Sequence, residues 1–273
     1  MEISVPEIKS IIPFIVEVKA SFKEETHLIK EWVEKHRQYI QYNQQLLINK
    51  SEENDIKILV SLLTDLLIRA MKGERGDTLN GELRGSIHTK QDLTYKNYLD
   101  LLEKAKYRWG AKTGAQVITD VVSIFENKYG WDWKIYFDEA EQYAESNFLH
   151  DELLKIKNVS FKVRDLALSS FNPNYVANDL HVVRVISRIG LLNYGFSLLG
   201  DSELEMGNNP ANGKNYLFLH KLVLKLSRFA DNEYSPADLD RIFWNFGRSI
   251  CNATPKCSKC PINNQCLTGR YRG

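Results

Sequence analysis

All four cysteines of this 273-residue chain lie in one short segment of its sequence. Cys251, Cys257, Cys260 and Cys266 follow the spacing C-x5-C-x2-C-x5-C. Four thiolates this close together are typical of the ligand set of one metal centre, either a tetrahedral zinc ion or an iron–sulfur cluster. A disulfide framework is less favoured, because such frameworks suit short secreted chains that cannot build a core. We therefore expect a metal-binding segment at residues 251–266.

The composition is that of a globular protein, with 43% hydrophobic and 26% charged residues. The sequence has no uncharged apolar stretch of about 18 residues, so we expect no membrane span. Residues 1–20 lack the basic region and the small-residue cleavage site of a signal peptide. The expected compartment is the cytoplasm, where thiols stay reduced and available to a metal.

Apolar residues recur at helical spacing over most of the chain, and strand signals are few. Ser235, Pro236 and Asp238 form a typical helix start, and Asp55 is a candidate cap for another helix. The predicted fold class is all-α. The spacing predicts helices over residues 22–48, 55–71, 94–107, 112–127, 134–146, 150–155, 161–170, 179–191, 215–229 and 236–250.

Two segments show no hydrophobic period. Residues 73–92 contain four glycines, and residues 201–214 are rich in Asn, Gly and acidic residues. Both are expected to be loops. The first, which carries several basic side chains, is also a candidate for a functional edge.

The cysteine segment, GRSICNATPKCSKCPINNQC, resembles the C-terminal loop of the endonuclease III and adenine-glycosylase superfamily of DNA repair enzymes. That loop has the usual spacing C-x6-C-x2-C-x5-C, so the first gap here is one residue short. The Pro-Lys pair before Cys257 and the Cys260-Pro261 pair also resemble it. The resemblance implies a [4Fe–4S] cluster held by the four cysteines, and a zinc ion on the same thiolates stays the alternative.

Two segments farther upstream resemble the same superfamily. Residues 178–191, NDLHVVRVISRIGL, resemble its D-x-H-V-x-R-V segment, which places the superfamily's catalytic aspartate on Asp179. Residues 156–168, IKNVSFKVRDLAL, resemble its helix-hairpin-helix pattern L-P-G-V-G-x-K-x-A. This match places Lys162 on the nucleophile position of the members that combine glycosylase and lyase activity.

The hairpin departs from the superfamily at two positions, where Asn158 and Ser160 replace glycines that let backbone N–H groups approach a DNA phosphate. Asn tolerates a left-handed backbone, and Ser offers a hydroxyl donor. We therefore expect these two residues to contact DNA. Lys256 and Lys259, beside the cysteines, are expected to face the phosphate backbone. From residue 151 onward, 16 Lys and Arg stand against 11 Asp and Glu, compared with 20 against 24 before it, which is compatible with such a partner.

Residue chemistry supports roles for Lys162 and Asp179. A lysine amine attacks the C1′ carbon of a sugar only in its neutral form, which burial at a helix start favours. An aspartate facing it stabilises the positive charge that develops on the sugar as the glycosidic bond breaks. On spacing alone, however, a lysine in an amphipathic helix is a surface residue and an aspartate before an apolar run is a helix cap.

Large aromatic residues are candidates for a platform on which an extruded base stacks, although most aromatics at helical spacing belong to a core. The candidates are Tyr107, Trp109, Trp131, Trp133 and Trp244.

The resemblance implies two helical lobes that flank a cleft. We expect an N-terminal helical segment at residues 1–50 that packs on the cluster lobe, a six-helix barrel with the helix-hairpin-helix motif at 51–228, and the iron–sulfur cluster lobe at 229–273. The implied function is that of a monomeric base-excision repair glycosylase with abasic-site (β-elimination) lyase activity. Its partner would be double-stranded DNA that contains a damaged base or an abasic site. The alternatives are a monofunctional glycosylase, in which Asp179 directs water, and a non-catalytic DNA-binding relative.

Overall fold

A computed structural model describes residues 6–22, 24–68, 73–145, 150–194 and 213–272. Helices account for most of these residues, and the sheet found among them is one pair of short antiparallel strands. The predicted all-α class is therefore confirmed. None of the helices in these ranges is long and apolar enough to cross a bilayer.

The described residues form two short strands and a series of helices. In chain order they are α1 (Ile8–Ile15), β1 (Lys19–Phe22), β2 (Glu25–Leu28), α2 (Ile29–Ile48), α3 (Glu52–Leu67), α4 (Gly73–Ser86), α5 (Tyr95–Lys104), α6 (Ala111–Asn127), α7 (Trp133–Glu145), α8 (Glu152–Lys155), α9 (Phe161–Ser169), α10 (Leu180–Ile189), α11 (Gly213–Phe229), α12 (Pro236–Ser249) and α13 (Leu267–Arg272). Short 3₁₀ turns lie at Lys90–Asp92 and Cys257–Lys259.

Residue contacts divide the chain into two compact units. Unit 1 comprises Met1–Tyr39 with Asn172–Gly273, and unit 2 comprises Ile40–Phe171. These two units do not test the expected division into an N-terminal segment, a barrel and a cluster lobe, which stays a prediction.

The core of unit 1 gathers apolar faces from both ends of the chain. Helix α1 buries one isoleucine per half-turn along a single stripe, as the helical period requires. This stripe and one face of α10 belong to the same hydrophobic cluster, which also includes two of the cysteines, Cys251 and Cys266. The residues of the two faces are Ile8, Ile11, Ile12, Ile15, Val182, Val185, Ile186 and Ile189.

The helix predicted from residue 22 begins instead at Ile29, because a β-hairpin occupies the residues before it. In the hairpin, Lys19 pairs with Leu28 and Phe22 pairs with Glu25. Strands of four residues are too short for a two-residue period to stand out in the sequence. The hairpin is fastened to α2, since the indole nitrogen of Trp32 donates a hydrogen bond to the carbonyl oxygen of Ala20 at 2.9 Å.

The prediction of a loop at residues 73–92 is also wrong, since α4 covers most of this segment. Leu79, Leu83 and Ile87 lie at helical spacing and are buried, so tertiary packing overrides the low helix propensity of the glycines. One glycine lies close to a neighbouring side chain: a Cβ on Gly76 would lie 2.6 Å from a methyl carbon of Ile68, so a larger residue there requires Ile68 to move. The other predicted loop, residues 201–214, lies almost wholly outside the described residues.

Helix starts follow the expected capping chemistry with one correction. Ser235 and Asp238 form the predicted capping box at α12, with Pro236 in the first turn. At α3 the cap is Ser51, whose hydroxyl accepts from the N–H of Asn54 at 3.2 Å. The predicted cap, Asp55, instead accepts a hydrogen bond from the indole nitrogen of Trp133 at 2.9 Å. The remaining predicted helices are confirmed, with ends shifted by a few residues.

Candidate functional site

The segment between α8 and α9 forms a tight, exposed hairpin in unit 2. Ile156 and Val159 are buried and anchor it, and the N–H of Val159 donates to the carbonyl oxygen of Ile156 at 3.1 Å. Asn158 has a φ of +75°, the left-handed conformation that the glycine pattern requires. Ser160 has an extended backbone and makes no side-chain capping bond to α9. Residues 157, 158 and 160 are exposed, so the hairpin offers its tip to solvent.

Lys162 is the second residue of α9, as the sequence predicts, but its side chain is exposed. The expected burial of this lysine is therefore not found in unit 2. The reason is local: the buried face of α9 begins one residue later, at Val163, Arg164 and Asp165.

A buried polar cluster holds the two helices of the hairpin together. Arg164 forms ion pairs with Asp151 at 3.1 Å and with the adjacent Asp165. Asp151 also caps α8 through the N–H of Leu153 at 2.8 Å and accepts from the hydroxyl of Tyr136 at 3.3 Å. Burial raises the pKa of Asp151, while Arg164 acts in the opposite direction. The motif thus rests on a charged core, which fixes the relative direction of α8 and α9.

An open cleft adjoins the hairpin tip. It has a volume of about 600 Å³, and its wall includes Lys157 and Asn158 together with Tyr95, Trp109 and Lys112. Trp109 and Tyr95 are 42% and 44% exposed, which is unusual for large aromatic side chains. Two lysines and two exposed aromatic rings next to a hairpin form a surface suited to phosphates and bases. We call these five residues the hairpin cleft.

The other aromatic candidates differ in burial. Tyr107 and Trp133 are buried and belong to the core, as most aromatics at helical spacing do. Trp131 is partly exposed, with the ammonium of Lys90 4.7 Å from its ring centroid. Trp244 lies in unit 1 beside Asp179 and is described with it.

Asp179 is the N-cap of α10. One carboxylate oxygen accepts from the N–H groups of His181 at 2.7 Å and Val182 at 3.2 Å. The other oxygen accepts from the indole nitrogen of Trp244 at 3.1 Å. The predicted cap is confirmed, and both oxygens have a fixed direction.

Trp244 itself is held by an aromatic and cationic stack. The guanidinium of Arg248 lies 4.4 Å from the Trp244 ring centroid and 5.1 Å from that of Phe22. Burial lowers the pKa of Arg248, and the carboxylate of Asp179 acts in the opposite direction. Phe22 meets Trp244 edge to face with centroids 5.6 Å apart. Asp179 therefore lies beside a cation whose charge is partly shielded from water.

Lys162 belongs to unit 2 and Asp179 to unit 1. Each is placed at a helix start by its own unit, and their joint action stays a prediction.

The four cysteines line one small pocket in unit 1. Its other walls are largely apolar and come from α10, α12 and the loop after α12, including Ile189, Phe246 and Ile262. Cys251 and Cys266 are buried, whereas Cys257 and Cys260 are partly exposed. Within the described ranges, no three His, Cys, Asp or Glu side chains are grouped closely enough to bind a single ion.

The donor set of this pocket fits a metal centre with only sulfur ligands. All four cysteines are free thiols. Burial raises the pKa of Cys251, and raises that of Cys260 to about 11. A bound metal reverses this effect, because it binds the deprotonated thiolate. Sulfur is the ligand type that either a [4Fe–4S] cluster or a zinc ion takes, but in this structure the four thiols are not gathered closely enough to bind one ion.

Arg188 holds the cysteine segment in place. Its guanidinium donates to the carbonyl oxygens of Cys251 at 3.3 Å and Ala253 at 3.1 Å, and it lies 3.8 Å from the sulfur of Cys251. Gly269 permits a further close approach, since a Cβ there would lie 2.1 Å from the carbonyl oxygen of Asn263. These contacts attach the segment to α10.

The two lysines expected to face DNA lie on this segment and are exposed. The ammonium of Lys256 donates to the carbonyl oxygen of Ser249 at 3.1 Å, at the end of α12. Lys259 lies in the 3₁₀ turn between Cys257 and Cys260. Their contact with DNA stays a prediction.

Several residues of the candidate site could not be identified from the sequence. Trp244 and Arg248 lie one turn apart on α12, but their contacts with Phe22 and the hydrogen bond from Trp244 to Asp179 form only when distant parts of the sequence fold together. Tyr95 and Lys112 join the hairpin cleft in the same way. A local signal existed only for Arg188, which falls within the segment that resembles the superfamily.

No protein-family model matches the sequence. Among curated proteins, no significant match is found.

Several solved structures are similar to this chain in fold. The structure of a trapped endonuclease III–DNA covalent intermediate, an estranged-adenine complex, has a TM-score of 0.53 at 18% identity, covering 88% of this chain and 98% of that chain. A non-covalent endonuclease III–DNA complex has a TM-score of 0.51 at 18% identity, covering 89% and 96%. A thermostable thymine-DNA glycosylase has a TM-score of 0.54 at 14% identity, covering 87% and 98%. The fold that the sequence resemblance implies is thus confirmed: the chain has the helical fold of endonuclease III and of this thymine-DNA glycosylase.

Proposed function

We propose that this protein is a DNA glycosylase that removes a damaged base from duplex DNA and then cleaves the abasic site as a lyase. The observation that carries the proposal is the exposed hairpin at residues 156–160. It has a left-handed Asn158, and Lys162 is the second residue of the helix that follows. The chain also has the fold of structures that were solved as endonuclease III–DNA complexes.

The hairpin cleft supports binding to a nucleic acid. At the hairpin tip, backbone N–H groups and the Asn158 and Ser160 side chains can donate to a phosphate oxygen. Lys157 and Lys112 add positive charge, and Trp109 offers an exposed ring on which a base can stack. No residue of the cleft is acidic. Its chemistry therefore favours a partner that combines phosphates with flat bases.

The proposed reaction begins with a nucleotide turned out of the duplex, because its C1′ carbon is out of reach within the stack. The neutral amine of Lys162 forms a bond to C1′ as the glycosidic bond breaks, and the base leaves with the bonding electron pair and takes up a proton. Ring opening gives a Schiff base between lysine and sugar. Loss of a C2′ proton then expels the 3′ phosphate, which nicks the strand by β-elimination. Asp179 stabilises the positive charge that develops on the sugar.

A [4Fe–4S] cluster on Cys251, Cys257, Cys260 and Cys266 is part of the proposal, and zinc on the same thiolates is its alternative. When bound, the metal centre cross-links the segment and so stabilises its fold. The protein's own residues supply the contact with DNA: Lys256 and Lys259 are exposed on this segment and can each pair with a backbone phosphate.

A second candidate is a monofunctional glycosylase. It is favoured by the exposure of Lys162, because the nucleophile of the first candidate is expected to be buried. In this case Asp179, whose two oxygens are both fixed, orients a water molecule that attacks C1′.

Borohydride trapping on abasic-site DNA separates the two candidates. The lyase is expected to give a covalent protein–DNA adduct that is lost in Lys162→Ala. The matched control is Lys134→Ala, since Lys134 is likewise exposed and is the second residue of α7. This control is expected to trap as the wild type does. An adduct that persists in Lys162→Ala removes the nucleophile role, and base release without any adduct supports the monofunctional enzyme. DNA binding without base release leaves only the non-catalytic relative.

A further inference from the structure

Helices α10 and α12 approach each other unusually closely at the start of α10. A Cβ on Gly247 would lie 2.9 Å from the carbonyl oxygen of His181 and 3.0 Å from a methyl carbon of Val185. Only glycine allows this approach without displacing the backbone. Trp244 lies one helical turn before Gly247, on the same side of α12. The close approach therefore brings its indole to the capping residue Asp179.

The indole N–H of Trp244 binds the carboxylate oxygen of Asp179 that receives no hydrogen bond from the backbone N–H groups of His181 and Val182. The N–H groups of His181 and Val182 bind one oxygen of Asp179, as any helix cap does. The second oxygen accepts the indole N–H at 3.1 Å. A cap needs only the first of these interactions, so the second restricts rotation of the carboxylate without adding to the cap.

The ring of Trp244 is in turn held by the N-terminal hairpin. Phe22, the last residue of β1, packs edge to face on Trp244 at 5.6 Å and on Trp32 at 6.0 Å. Arg248 lies over the rings of both Trp244 and Phe22. Trp32 is itself fixed by its hydrogen bond to Ala20. A continuous stack of Trp32, Phe22 and Trp244 thus connects α2, the N-terminal β-hairpin and α12 with Asp179.

We propose that Trp244 is a positioning residue for the Asp179 carboxylate, and that the N-terminal hairpin, through Phe22, keeps Trp244 in place. This inference rests on the proposed catalytic role of Asp179. It gives the residues before α2 a part in the reaction beyond packing. Misplacing a catalytic group by about 1 Å can cost about 100-fold in rate, so even a small rotation of the carboxylate has a measurable effect.

The decisive variant is Trp244→Phe, which keeps a ring in the stack and removes only the N–H group. Base release in a single turnover is expected to slow by about tenfold or more, whereas the affinity for lesion DNA stays within about twofold of the wild type. In an Asp179→Asn background, Trp244→Phe should cause no further loss, because the two residues act as one unit. The control is Trp133→Phe, which removes the indole N–H to Asp55 bond in unit 2 and should leave the rate unchanged.

A second variant and a spectroscopic measurement guard against a simple loss of structure. Phe22→Leu retains the Trp244 N–H but removes the ring that supports it, and should slow base release in the same direction by a smaller factor. In a ¹H–¹⁵N spectrum, the indole N–H signal of Trp244 should shift in Asp179→Asn, while that of Trp133 should not.

The outcomes separate this inference from the proposed function. Base release that is lost in Asp179→Asn but unchanged in Trp244→Phe and Phe22→Leu overturns the positioning role alone. So does a Trp244→Phe effect that persists in the Asp179→Asn background. Base release that survives Asp179→Asn removes the catalytic role of Asp179, and the inference falls with it.

Discussion

The thiol of Cys266 donates a hydrogen bond to the carbonyl oxygen of Arg188, 3.2 Å away. The guanidinium of the same arginine donates to the carbonyl oxygens of Cys251 and Ala253 at the other end of the cysteine segment. One residue of α10 therefore holds both ends of the segment. Because α10 starts at Asp179, the candidate catalytic residue and the candidate metal centre are attached to the same helix.

Arg188→Met should loosen the cysteine segment. The substitution removes several hydrogen bonds to backbone carbonyls, each contributing about 0.5–1.5 kcal/mol. We expect a lower unfolding midpoint and less bound metal per chain.

The wild type, purified under anaerobic conditions, should be brown with about four irons per chain if the centre is a [4Fe–4S] cluster. Colourless protein with stoichiometric zinc would decide for the alternative, and a Met variant with unchanged metal content and midpoint would show that Arg188 does not hold the segment.

Asn158→Ala should weaken both the hairpin and DNA binding, because alanine lacks the polar side chain through which asparagine tolerates a left-handed backbone, a conformation that costs most residues with a Cβ about 1–2 kcal/mol. Asn158→Gly should bind DNA at least as well as the wild type, since glycine takes this conformation freely. Asn232 supplies the matched control, being an exposed asparagine with a φ of +58° in unit 1. Asn232→Ala should lower stability by a similar amount and leave DNA affinity unchanged. Equal loss of affinity in both alanine variants would argue against a specific role of the hairpin.

Trp109→Ala should weaken DNA binding by about tenfold, because a base stacked on an aromatic ring contributes about 1–3 kcal/mol. Trp109→Phe should recover part of the loss. Tyr42, which is 51% exposed but lies outside the hairpin cleft, is the control, and Tyr42→Ala should bind DNA normally. Titration of a labelled duplex at fixed salt measures all three. A Trp109→Ala variant with wild-type affinity would remove the ring from the interface.

His36 should make the protein less stable as the pH falls. Burial, together with the nearby Arg241, holds the pKa of His36 well below its ordinary value of 6.5. Its two ring nitrogens have no hydrogen-bond partner in the part of the chain that the structure describes. Below pH 6.5 the unfolded chain therefore binds a proton that the folded protein does not.

The stability that His36 contributes is present above pH 6.5 and is lost as the pH falls towards the folded-state pKa, with a slope of up to about 1.4 kcal/mol per pH unit. His36→Phe should remove this part of the pH dependence. Urea unfolding at about pH 7.5 and about pH 5.5 compares the two proteins. Parallel pH profiles for wild type and variant would contradict this, because they would show that the pKa of His36 is the same in the folded and the unfolded chain.

The sequence predicts those parts of the fold that depend on local signals. The capping box at Ser235, the N-cap at Asp179 and the left-handed position at Asn158 each follow from a few neighbouring residues. Helix α4 was missed because its four glycines outweighed Leu79 and Leu83, which alone carry the helical period there. Local propensity is a weak guide wherever tertiary packing supplies the stability.

The surroundings of the candidate catalytic residues could not be predicted in the same way. Trp244 and Asp179 are 65 residues apart, and their hydrogen bond depends on the close packing of two helices at Gly247. The exposure of Lys162 depends on which face of α9 turns towards the buried pair Arg164 and Asp151. No local pattern contains the first of these contacts, whereas helical spacing alone already favours a surface position for Lys162.

Base release from duplex DNA is the decisive measurement for the proposed glycosylase activity. Oligonucleotide duplexes that each contain one oxidised, deaminated or mismatched base, or an abasic site, are incubated with the wild type and with Asp179→Asn, and free base and strand nicks are measured. We expect the wild type to release at least one damaged base and to nick the strand, whereas Asp179→Asn should bind the same duplex but release the base at least about 100-fold more slowly. Release by neither protein from any duplex, or equal release by both, would contradict this expectation.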